Sequence, residues 1–207
     1  MTIALLWLAA ACGYWIVATR AVNRLGDARA SEGSPAESTW RPTVVLARPL
    51  RGAPRYLRPC LASLLEAAAR ADAGVCLGLA SRDDPAAAVA EELRRGSRAA
   101  VEIRSDPLPP GENRKIANLV QALAGSNAEV VVLSDADILV PPDYVPTVIA
   151  PLADASVGLT TCPYRSVPAR TVLSRIDALL TNTRFLPSTC LAIRAEGLHF
   201  ALGATIA

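Results

Sequence analysis

Short apolar runs alternate with longer stretches of mixed polarity along most of the chain. The apolar runs predict strands, whereas apolar residues three or four positions apart predict amphipathic helices. We expect strands at residues 43–46, 75–80, 101–104, 130–133 and 157–161. We expect helices at residues 57–71, 85–95, 115–123, 144–152 and 171–185. Such alternation is typical of an α/β fold in which helices cover a mostly parallel sheet.

The N-terminal segment is uniformly apolar. Residues 3–18 carry no charge, and Arg20 and Arg24 follow them. A helix of about 17–25 apolar residues crosses a bilayer, and basic residues mark the cytoplasmic side of a span. We therefore expect a transmembrane anchor at residues 1–20 in the inner (cytoplasmic) membrane, with the rest of the chain facing the cytoplasm. A lipoprotein cleavage site before Cys12 and a buried soluble helix are the alternatives.

A polar stretch rich in helix breakers follows the apolar segment. Residues 27–42 combine Pro, Gly and Ser with charged residues, which is typical of a tether. The expected organisation is an anchor at 1–20, a linker at 21–42 and one α/β domain at 43–207.

Composition and charge argue against several functional classes. The net charge is +2 and the arginines are scattered, so no basic stripe suited to nucleic acid is present in the sequence. The five cysteines form no CxxC pair and are expected to be buried free thiols in a reducing compartment. His199 is the only histidine, which argues against Ser-His-Asp and Cys-His catalysis. Neither GxGxxG nor GxxxxGK[ST] occurs, so an ordinary dinucleotide or P-loop site is not predicted.

Two carboxylates follow the fourth predicted strand. Asp135 and Asp137 are separated by one residue and come just after the apolar run at 130–133. Open α/β sheets bind ligands beyond the carboxyl ends of their strands, and Mg²⁺ is commonly held by one or two carboxylates plus substrate phosphates. The Asp-x-Asp pattern therefore indicates a metal site for a nucleotide diphosphate. A polar turn in which either aspartate caps the next element is the alternative.

Polar residues also follow the first two predicted strands. Arg48 and Arg51 come after the first strand and are candidates for contacting a phosphate, while Gly52 permits a close turn. Asp84 follows the second strand and is a candidate acceptor for a uracil or ribose group. The alternatives are a solvated turn for the arginines and helix capping by Asp84.

A third polar cluster lies where a loop enters a predicted helix. Backbone N–H groups and Lys115 converge there, and helix N-termini attract anions. Asn118 lies three residues further on, on the same helix face. The alternative is an ordinary surface helix start.

Together these motifs resemble those of a known enzyme family. Their order and spacing match ceramide-glucosyltransferase-like enzymes in Arg-Pro-Leu-Arg-Gly at 48–52, Asp-Asp-Pro at 83–85, Gly-x-Asn-x-Lys-x-x-Asn-Leu at 111–119 and Ser-Asp-Ala-Asp at 134–137. These are inverting GT-A glycosyltransferases of families 2 and 21, and the chain most resembles the bacterial hopanoid-biosynthesis branch. The resemblance implies a GT-A (nucleotide-diphospho-sugar transferase) Rossmann-like sandwich, incomplete, with an N-terminal transmembrane helix.

The resemblance also implies roles and partners. The metal ligands would be Asp135 and Asp137, holding Mg²⁺ or Mn²⁺ on the diphosphate of a UDP-sugar. The acceptor would be a hydroxyl of a membrane lipid, ceramide-like or hopanoid-like, and nucleic acid would not be a partner. The residues that would bind the nucleotide sugar are Arg48, Pro49, Asp84, Asn113, Lys115, Asn118 and Asp135.

In this family a carboxylate base and a Gln-x-x-Arg-Trp motif are expected further along than Ala207. We therefore expect a C-terminally truncated donor-binding half whose catalytic base lies beyond this sequence. It would belong to a longer or split enzyme, or act as an inactive UDP-sugar-binding remnant. Asp154 and Asp177 are the next candidates for a base. A sugar-nucleotide pyrophosphorylase-like domain is a third alternative. It would require a glycine-rich phosphate loop after the first strand, and residues 48–52 contain just one glycine.

Overall fold

The computed structural model describes residues 2–31, 40–106 and 113–207, with the side chains of 25–31 excepted. The strands are β1 Val44–Leu50, β2 Gly74–Leu79, β3 Val101–Arg104, β4 Val130–Ser134 and β5 Thr205–Ile206. The helices are α1 Thr2–Ser31, α2 Leu57–Arg70, α3 Pro85–Gly96, α4 Arg114–Leu123, α5 Tyr144–Ile149, α6 Val172–Leu180 and α7 Leu186–Glu196. A 3₁₀ turn at Ala150–Ala153 extends α5, and a π-helical turn at Thr181–Phe185 connects α6 with α7.

The described strands form one sheet in the order β3-β2-β1-β4-β5. β1 to β4 run parallel, and β5 pairs antiparallel with β4, with Ser134 opposite Thr205. The chain moves outward from β1 to β3 and then returns to place β4 on the other side of β1. The strand order therefore reverses between β1 and β4, and open α/β sheets bind ligands at such a switch point.

Helices cover both faces of the sheet. On one face, Leu61 and Leu64 of α2 belong to the same buried cluster as Leu46 of β1. On the other face, Ala122 of α4 packs with Val45 of β1. Successive strand residues point to opposite faces, so β1 is buried on both sides. This explains why its first four residues, Val44 to Ala47, form a continuous apolar run rather than an alternating one.

The four parallel strands lie where the apolar runs predicted them. β1 extends to Leu50, well past the predicted end at Leu46, because Arg48 and Pro49 pair with β2 instead of forming a turn. The α/β fold predicted from the alternation is confirmed.

The predicted strand at residues 157–161 is wrong. Thr161 makes an isolated bridge to Ile206, and Thr160 exchanges two backbone hydrogen bonds of 2.9 Å with Ala207. The strand next to β4 is instead Thr205–Ile206. The segment is locally extended, as its apolar residues indicated, but its partner is a short stretch more than 40 residues away along the chain.

The predicted helix at residues 171–185 continues further than expected. α6 passes through the π-helical turn into α7, which ends at Glu196. Pro187 lies in the first turn of α7. A proline at that position breaks no hydrogen bond of its own helix, so it does not end the helical segment.

Packing divides the chain into two compact units. One unit comprises Met1–Ala36 and Pro163–Ala201, and so contains α1, α6 and α7. The other comprises Glu37–Cys162 and Leu202–Ala207, and contains the whole sheet with α2 to α5. The residues that the sequence assigned to nucleotide and metal binding all belong to this second unit.

α1 is long, apolar and mostly exposed. Its segment Thr2–Arg24 has 23 residues and a mean hydropathy of 1.7, enough by length and composition to cross a membrane. The helix continues through Ser31, so part of the predicted linker is helical, while residues 32–39 lie outside the described residues. α1 packs on α7, where the Tyr14 hydroxyl lies 2.9 Å from Ser188 Oγ.

All five cysteines lie within the described residues, and none of them forms a disulfide. Cys60, Cys76 and Cys190 are buried, and Cys162 is half-buried, as expected. Cys12 differs from the expectation, since it is exposed on α1. Burial raises the pKa of the Cys60 and Cys76 thiols, which keeps them protonated at neutral pH.

Candidate functional site

Asp135 and Asp137 lie at the carboxyl end of β4, beside the switch point. A tight turn follows Ser134, the last residue of the strand. The Asp135 N–H donates to the carbonyl of Ala204 at 3.2 Å, and the Ile138 N–H donates to the carbonyl of Asp135 at 3.3 Å. These bonds hold the turn while the Asp137 side chain remains exposed and that of Asp135 partly exposed. The structure thus presents both carboxylates at the predicted edge of the sheet.

Arg48 supports this turn from inside the protein. Its side chain is fully buried. Nε and Nη2 donate to Ser134 Oγ at 3.1 and 3.0 Å, and Nη2 also donates to the Ile138 carbonyl at 3.2 Å. Nη1 donates to the Cys60 carbonyl of α2 at 2.9 Å. Arg48, expected to contact the donor, therefore holds both ends of the aspartate turn in this structure.

The acceptors that bind the Arg48 guanidinium are uncharged. Burial lowers the pKa of Arg48 to about 10, while Tyr144, Cys60, Asp137 and Asp135 act in the opposite direction. The guanidinium is therefore still a cation at neutral pH. A buried positive charge behind the turn attracts anions such as a diphosphate.

Lys115 brings a second cation to the aspartates. Asn113 caps α4, since its Oδ1 accepts from the N–H groups of Lys115 at 3.1 Å and Ile116 at 3.2 Å. The cap sets the first turn of the helix, and from there Lys115 Nζ forms an ion pair with Asp135. The two side chains are 45% and 33% exposed, so an incoming ligand can reach both groups. Residues 107–112, which contain Gly111 of the predicted motif, lie outside the described residues.

Buried amides fix α4 against the end of β2. Asn118 Nδ2 donates to the Gly78 carbonyl at 3.0 Å, and Gln121 Nε2 donates to Leu79 O at 2.6 Å and to Asn118 Oδ1 at 2.8 Å. A Cβ at Gly78 would lie 2.3 Å from Asn118 Oδ1, so glycine permits this close approach. Asn118, predicted to bind the donor, here positions the helix that carries Lys115.

Asp84 links the loops that follow β1 and β2. Its Oδ1 accepts from the Gly52 N–H and the Ala86 N–H, both at 2.8 Å. The bond to Ala86 is the N-cap of α3, which was the alternative considered for this residue. Gly52 has φ +66°, a left-handed conformation that favours glycine. Pro49, the other candidate in this region, lies in β1 opposite Gly78.

Three supporting residues were missed in the sequence. Ser134 and Tyr144 are buried behind the turn, and the Tyr144 hydroxyl lies 3.1 Å from Thr205 Oγ1. Burial raises the pKa of Tyr144, so the phenol stays neutral. Gln121 is the third, and its spacing of three residues from Asn118 was the available signal, because both face the sheet.

The two other candidate acids have different surroundings. Asp154 Oδ1 accepts from the Ser156 N–H at 2.8 Å and the Ser156 hydroxyl at 2.7 Å. These hydrogen bonds hold the pKa of Asp154 below its usual value, as suits a turn-stabilising carboxylate. Asp177 lies on α6, in the unit without the sheet.

The chemistry of the two aspartates fits a hard divalent cation. Across residues 2–31, 40–106 and 113–207, no group of three or more His, Cys, Asp or Glu side chains is placed to hold a metal ion. Asp135 and Asp137 offer carboxylate oxygens, and Mg²⁺ is usually bound by one or two carboxylates with phosphates and water completing its shell. The site therefore fits a metal held jointly with a phosphate ligand, better than one held by the protein alone.

The sequence model of glycosyl transferase family 21 matches residues 3–207. The chain belongs to glycosyl transferase family 21. This family assignment agrees with the resemblance carried by the motifs at 48–52, 83–85, 111–119 and 134–137. No curated protein matches the chain.

Solved structures of glycosyltransferases resemble this family 21 chain. The mannosyltransferase PcManGT of Pyrobaculum calidifontis, solved with GDP-Man and Mn²⁺, has a TM-score of 0.53 and 22% identity over 81% of this chain and 47% of its own. The glucosyl-3-phosphoglycerate synthase of M. tuberculosis has a TM-score of 0.46 and 20% identity over 80% of this chain and 57% of its own. The likeness to PcManGT confirms the predicted GT-A fold. The chain spans about half the length of these structures.

Proposed function

We propose that this chain binds a UDP-sugar at the switch point and takes part in transferring the sugar to a hydroxyl of a membrane lipid. Membership of glycosyl transferase family 21 supports sugar transfer from an activated donor. The observation that carries the proposal is the ion pair of Lys115 with Asp135 at the carboxyl end of β4. It joins a helix N-terminus, a cation and a carboxylate pair at one point, as binding of a metal-bound diphosphate requires.

The nucleoside end of the donor is proposed to lie near Asp84 and Pro49. A carboxylate there accepts hydrogen bonds from a uracil N–H or a ribose hydroxyl. The diphosphate would then extend toward the first turn of α4, where Asn113 has fixed the backbone and Lys115 provides the positive charge. The choice of UDP over other nucleotides follows the resemblance to ceramide-glucosyltransferase-like enzymes.

Asp135 and Asp137 are proposed to hold Mg²⁺ or Mn²⁺. The complex of PcManGT with GDP-Man and Mn²⁺ supports the use of a divalent cation in this fold. When bound, the metal supplies Lewis-acid stabilisation of the charge that develops on the departing diphosphate. Through its hydrogen bonds to Ser134 and the Ile138 carbonyl, Arg48 would hold the turn in the geometry that Asp135 and Asp137 need to bind the metal.

Lys115 is proposed to exchange partners during donor binding. Without a donor it neutralises Asp135. With a donor, the diphosphate is the more negative neighbour, so the ammonium group would turn toward a phosphate oxygen and leave Asp135 to the cation. Transfer with inversion also needs a base within hydrogen-bond reach of the acceptor hydroxyl. We assign that role to none of Asp84, Asp135 and Asp137, since each is engaged with the donor.

The acceptor is proposed to be a ceramide-like or hopanoid-like lipid, because the same resemblance implies it. The apolar segment Thr2–Arg24 supports a membrane location. Arg20 and Arg24, at its C-terminal end, favour the cytoplasmic side for the rest of the chain. The proposed organisation is an anchor at 1–20, a linker at 21–42 and a GT-A domain from residue 43 onward.

Titration calorimetry on the full chain in detergent tests the donor site. UDP is expected to bind in the presence of Mn²⁺ and to lose most of its affinity in EDTA. GDP and ADP serve as matched probes, since they carry the same diphosphate on different bases. Equal affinity for the three nucleotides would overturn the choice of UDP, and the absence of binding by all three would overturn the donor site.

Two further measurements test the acceptor and the anchor. Radiolabelled UDP-sugar incubated with the chain and mixed membrane lipids is expected to leave little label in the organic phase, because none of Asp84, Asp135 and Asp137 is available as the base. Robust labelling would support the lipid acceptor and would make Asp154 and Asp177 the candidates for the base. Membranes washed with alkaline carbonate are expected to retain the chain. Complete release by carbonate would contradict the anchor without affecting the donor site.

A further inference from the structure

α6 exposes an apolar face. Ile176 is flanked one turn before by Val172 and Leu173 and one turn after by Leu179 and Leu180, so these five residues share one side of the helix. Leu173 is 80% exposed, Val172 70% and Leu179 61%. Large aliphatic side chains at such exposure form a contiguous patch, and patches of this kind mark contact surfaces.

The orientation of α6 is fixed by its opposite side. Ala178 is buried and Ser174 half-buried, and both lie across the helix from Ile176. Thr171 caps the helix by accepting from the Ser174 N–H at 3.2 Å, and Ser174 Oγ accepts from the Ala169 N–H at 2.7 Å. The apolar face therefore points outward because the inner face is already packed and hydrogen-bonded.

The segment that follows is also held in place. Asn182 Oδ1 accepts from the Ser166 N–H at 2.8 Å, and Asn182 Nδ2 donates to the Ser166 carbonyl at 2.9 Å. This pair of bonds connects the π-helical turn to the segment that precedes α6. The rings of Tyr164 and Phe185 are in tilted contact in the same region, with centroids 5.3 Å apart.

Basic residues border the apolar face. The segment Pro163–Ala201 contains five arginines and two acidic residues, so it is cationic, whereas the chain as a whole is close to neutral. Arg170 lies just before α6 and Arg175 beside its apolar face, and both are exposed. A helix with an apolar face and arginines around it is suited to lying in the interface of a membrane with anionic lipids.

The same compact unit contains the candidate membrane span. α1 packs on α7, and Tyr14 of α1 lies 2.9 Å from Ser188 of α7. α7 continues directly from α6 through the π-helical turn. The apolar face of α6 is therefore part of the unit that carries the helix long and apolar enough to cross a membrane.

We propose that α6 binds the surface of the lipid bilayer through Val172, Leu173, Ile176, Leu179 and Leu180, with Arg170 and Arg175 at the level of anionic head groups. This inference rests on the proposed membrane anchor and adds a second, interfacial contact to it. α6 would lie in the plane of the interface rather than cross it, since its nine residues are too few to span a bilayer.

Site-directed spin labelling of the full chain tests this inference. Ile176→Cys is introduced into a Cys12→Ser background, because Cys12 is the exposed native thiol. Asp177→Cys is the matched control, one residue away and off the apolar face, and Leu8→Cys reports on α1. Each labelled protein is reconstituted in vesicles of phosphatidylcholine with phosphatidylglycerol. Collision rates of the label with oxygen and with a water-soluble nickel complex then give its depth.

The ratio of oxygen to nickel collisions is expected to be several-fold higher at position 176 than at position 177. It is expected to fall at position 176 when phosphatidylglycerol is left out. A membrane-embedded label at position 8 with a water-exposed label at position 176 would overturn the inference and leave the anchor intact. Water exposure at both positions would overturn both. Spin–spin broadening at position 176 at low protein-to-lipid ratio would assign the face to a second copy of the chain and also overturn the inference.

Discussion

The guanidinium of Arg48 donates two hydrogen bonds to the single hydroxyl oxygen of Ser134, at 3.1 and 3.0 Å. Ser134 is the last residue of β4 and directly precedes Asp135. A third bond reaches the carbonyl of Ile138, on the far side of the aspartate pair, at 3.2 Å. One buried side chain thus sets the distance between the two ends of the turn that presents Asp135 and Asp137.

Replacing Arg48 is expected to impair the turn and therefore donor binding. Arg48→Met keeps the volume but removes these bonds, and we expect metal-dependent UDP affinity to fall about tenfold, the effect of losing about 1.4 kcal/mol. Arg48→Lys keeps the charge but lacks the planar guanidinium group, so its UDP affinity should lie between those of the parent and Arg48→Met. Calorimetry gives the affinities, and circular dichroism confirms that each variant is folded. Full UDP affinity in folded Arg48→Met would contradict the positioning role.

Removing a proposed metal ligand should weaken UDP binding only when metal is present. Asp137→Ala is expected to lose about 1–3 kcal/mol of binding free energy with Mn²⁺, the scale for removing a charged hydrogen-bonding partner. In EDTA the variant and the parent should bind UDP equally weakly. Asp143→Ala, at another exposed aspartate on the segment leading into α5, is the matched control. An unchanged response to Mn²⁺ in Asp137→Ala would show that the metal ligands lie elsewhere.

Lys115 is expected to weaken the binding of Mn²⁺ when UDP is absent. When UDP is present, Lys115 is expected to strengthen the binding of UDP together with Mn²⁺. In Lys115→Met, Mn²⁺ alone should bind at least as tightly as to the parent, because the competing cation on Asp135 is gone. UDP with Mn²⁺ should bind more weakly, because the diphosphate loses a positive neighbour. Stability should change by about 0–1 kcal/mol, as for other exposed ion pairs. Mn²⁺ electron paramagnetic resonance and calorimetry separate the two effects. Weaker binding of Mn²⁺ alone would contradict the exchange of partners.

Asp84 carries two roles that different substitutions separate. Asp84→Ala removes the N-cap of α3 and the bond to the Gly52 N–H, so we expect a loss of about 0.5–2 kcal/mol of stability and weaker nucleotide binding. Asp84→Asn keeps an acceptor for both N–H groups and should retain most of the stability. Asp83→Ala is the control at the exposed neighbour. If Asp84→Ala bound UDP as tightly as the parent, capping would be the whole role of the residue.

The strands around the switch point were predictable because they are buried on both faces. Val75–Leu79 and Val130–Leu133 lie in apolar runs, and strands of a parallel sheet that helices cover on both faces have such sequences. The start of α4 was predictable for a local reason, since Asn113 caps the helix with its own side chain. The carboxylate pair could be placed because a strand end fixes which edge of the sheet it joins.

Other features depend on contacts distant in sequence. β5 is two residues long and is defined by its pairing with β4, so its own sequence carries little signal. The sequence predicts a phosphate contact or a solvated turn for Arg48, because arginines are rarely buried. Its place inside the protein depends on a hydroxyl 86 residues away, Ser134. No local sequence pattern predicts the hydrogen bonds between Arg48 and Ser134.

Gly78→Ala tests whether the position of α4 controls the site. A Cβ at residue 78 would lie 2.3 Å from Asn118 Oδ1 and 2.7 Å from the Asn118 carbonyl, so the helix must move or the buried amide must turn away. We expect a loss of about 1–3 kcal/mol in stability from overpacking. Because α4 carries Lys115 to Asp135, UDP affinity should fall as well. Gly74→Ala is the matched control on the same strand, where the new Cβ meets its nearest neighbour at 3.7 Å, an ordinary contact. Thermal unfolding and calorimetry measure both quantities. If folded Gly78→Ala bound UDP with parental affinity, the site would tolerate displacement of α4, and the amides of Asn118 and Gln121 would serve stability alone.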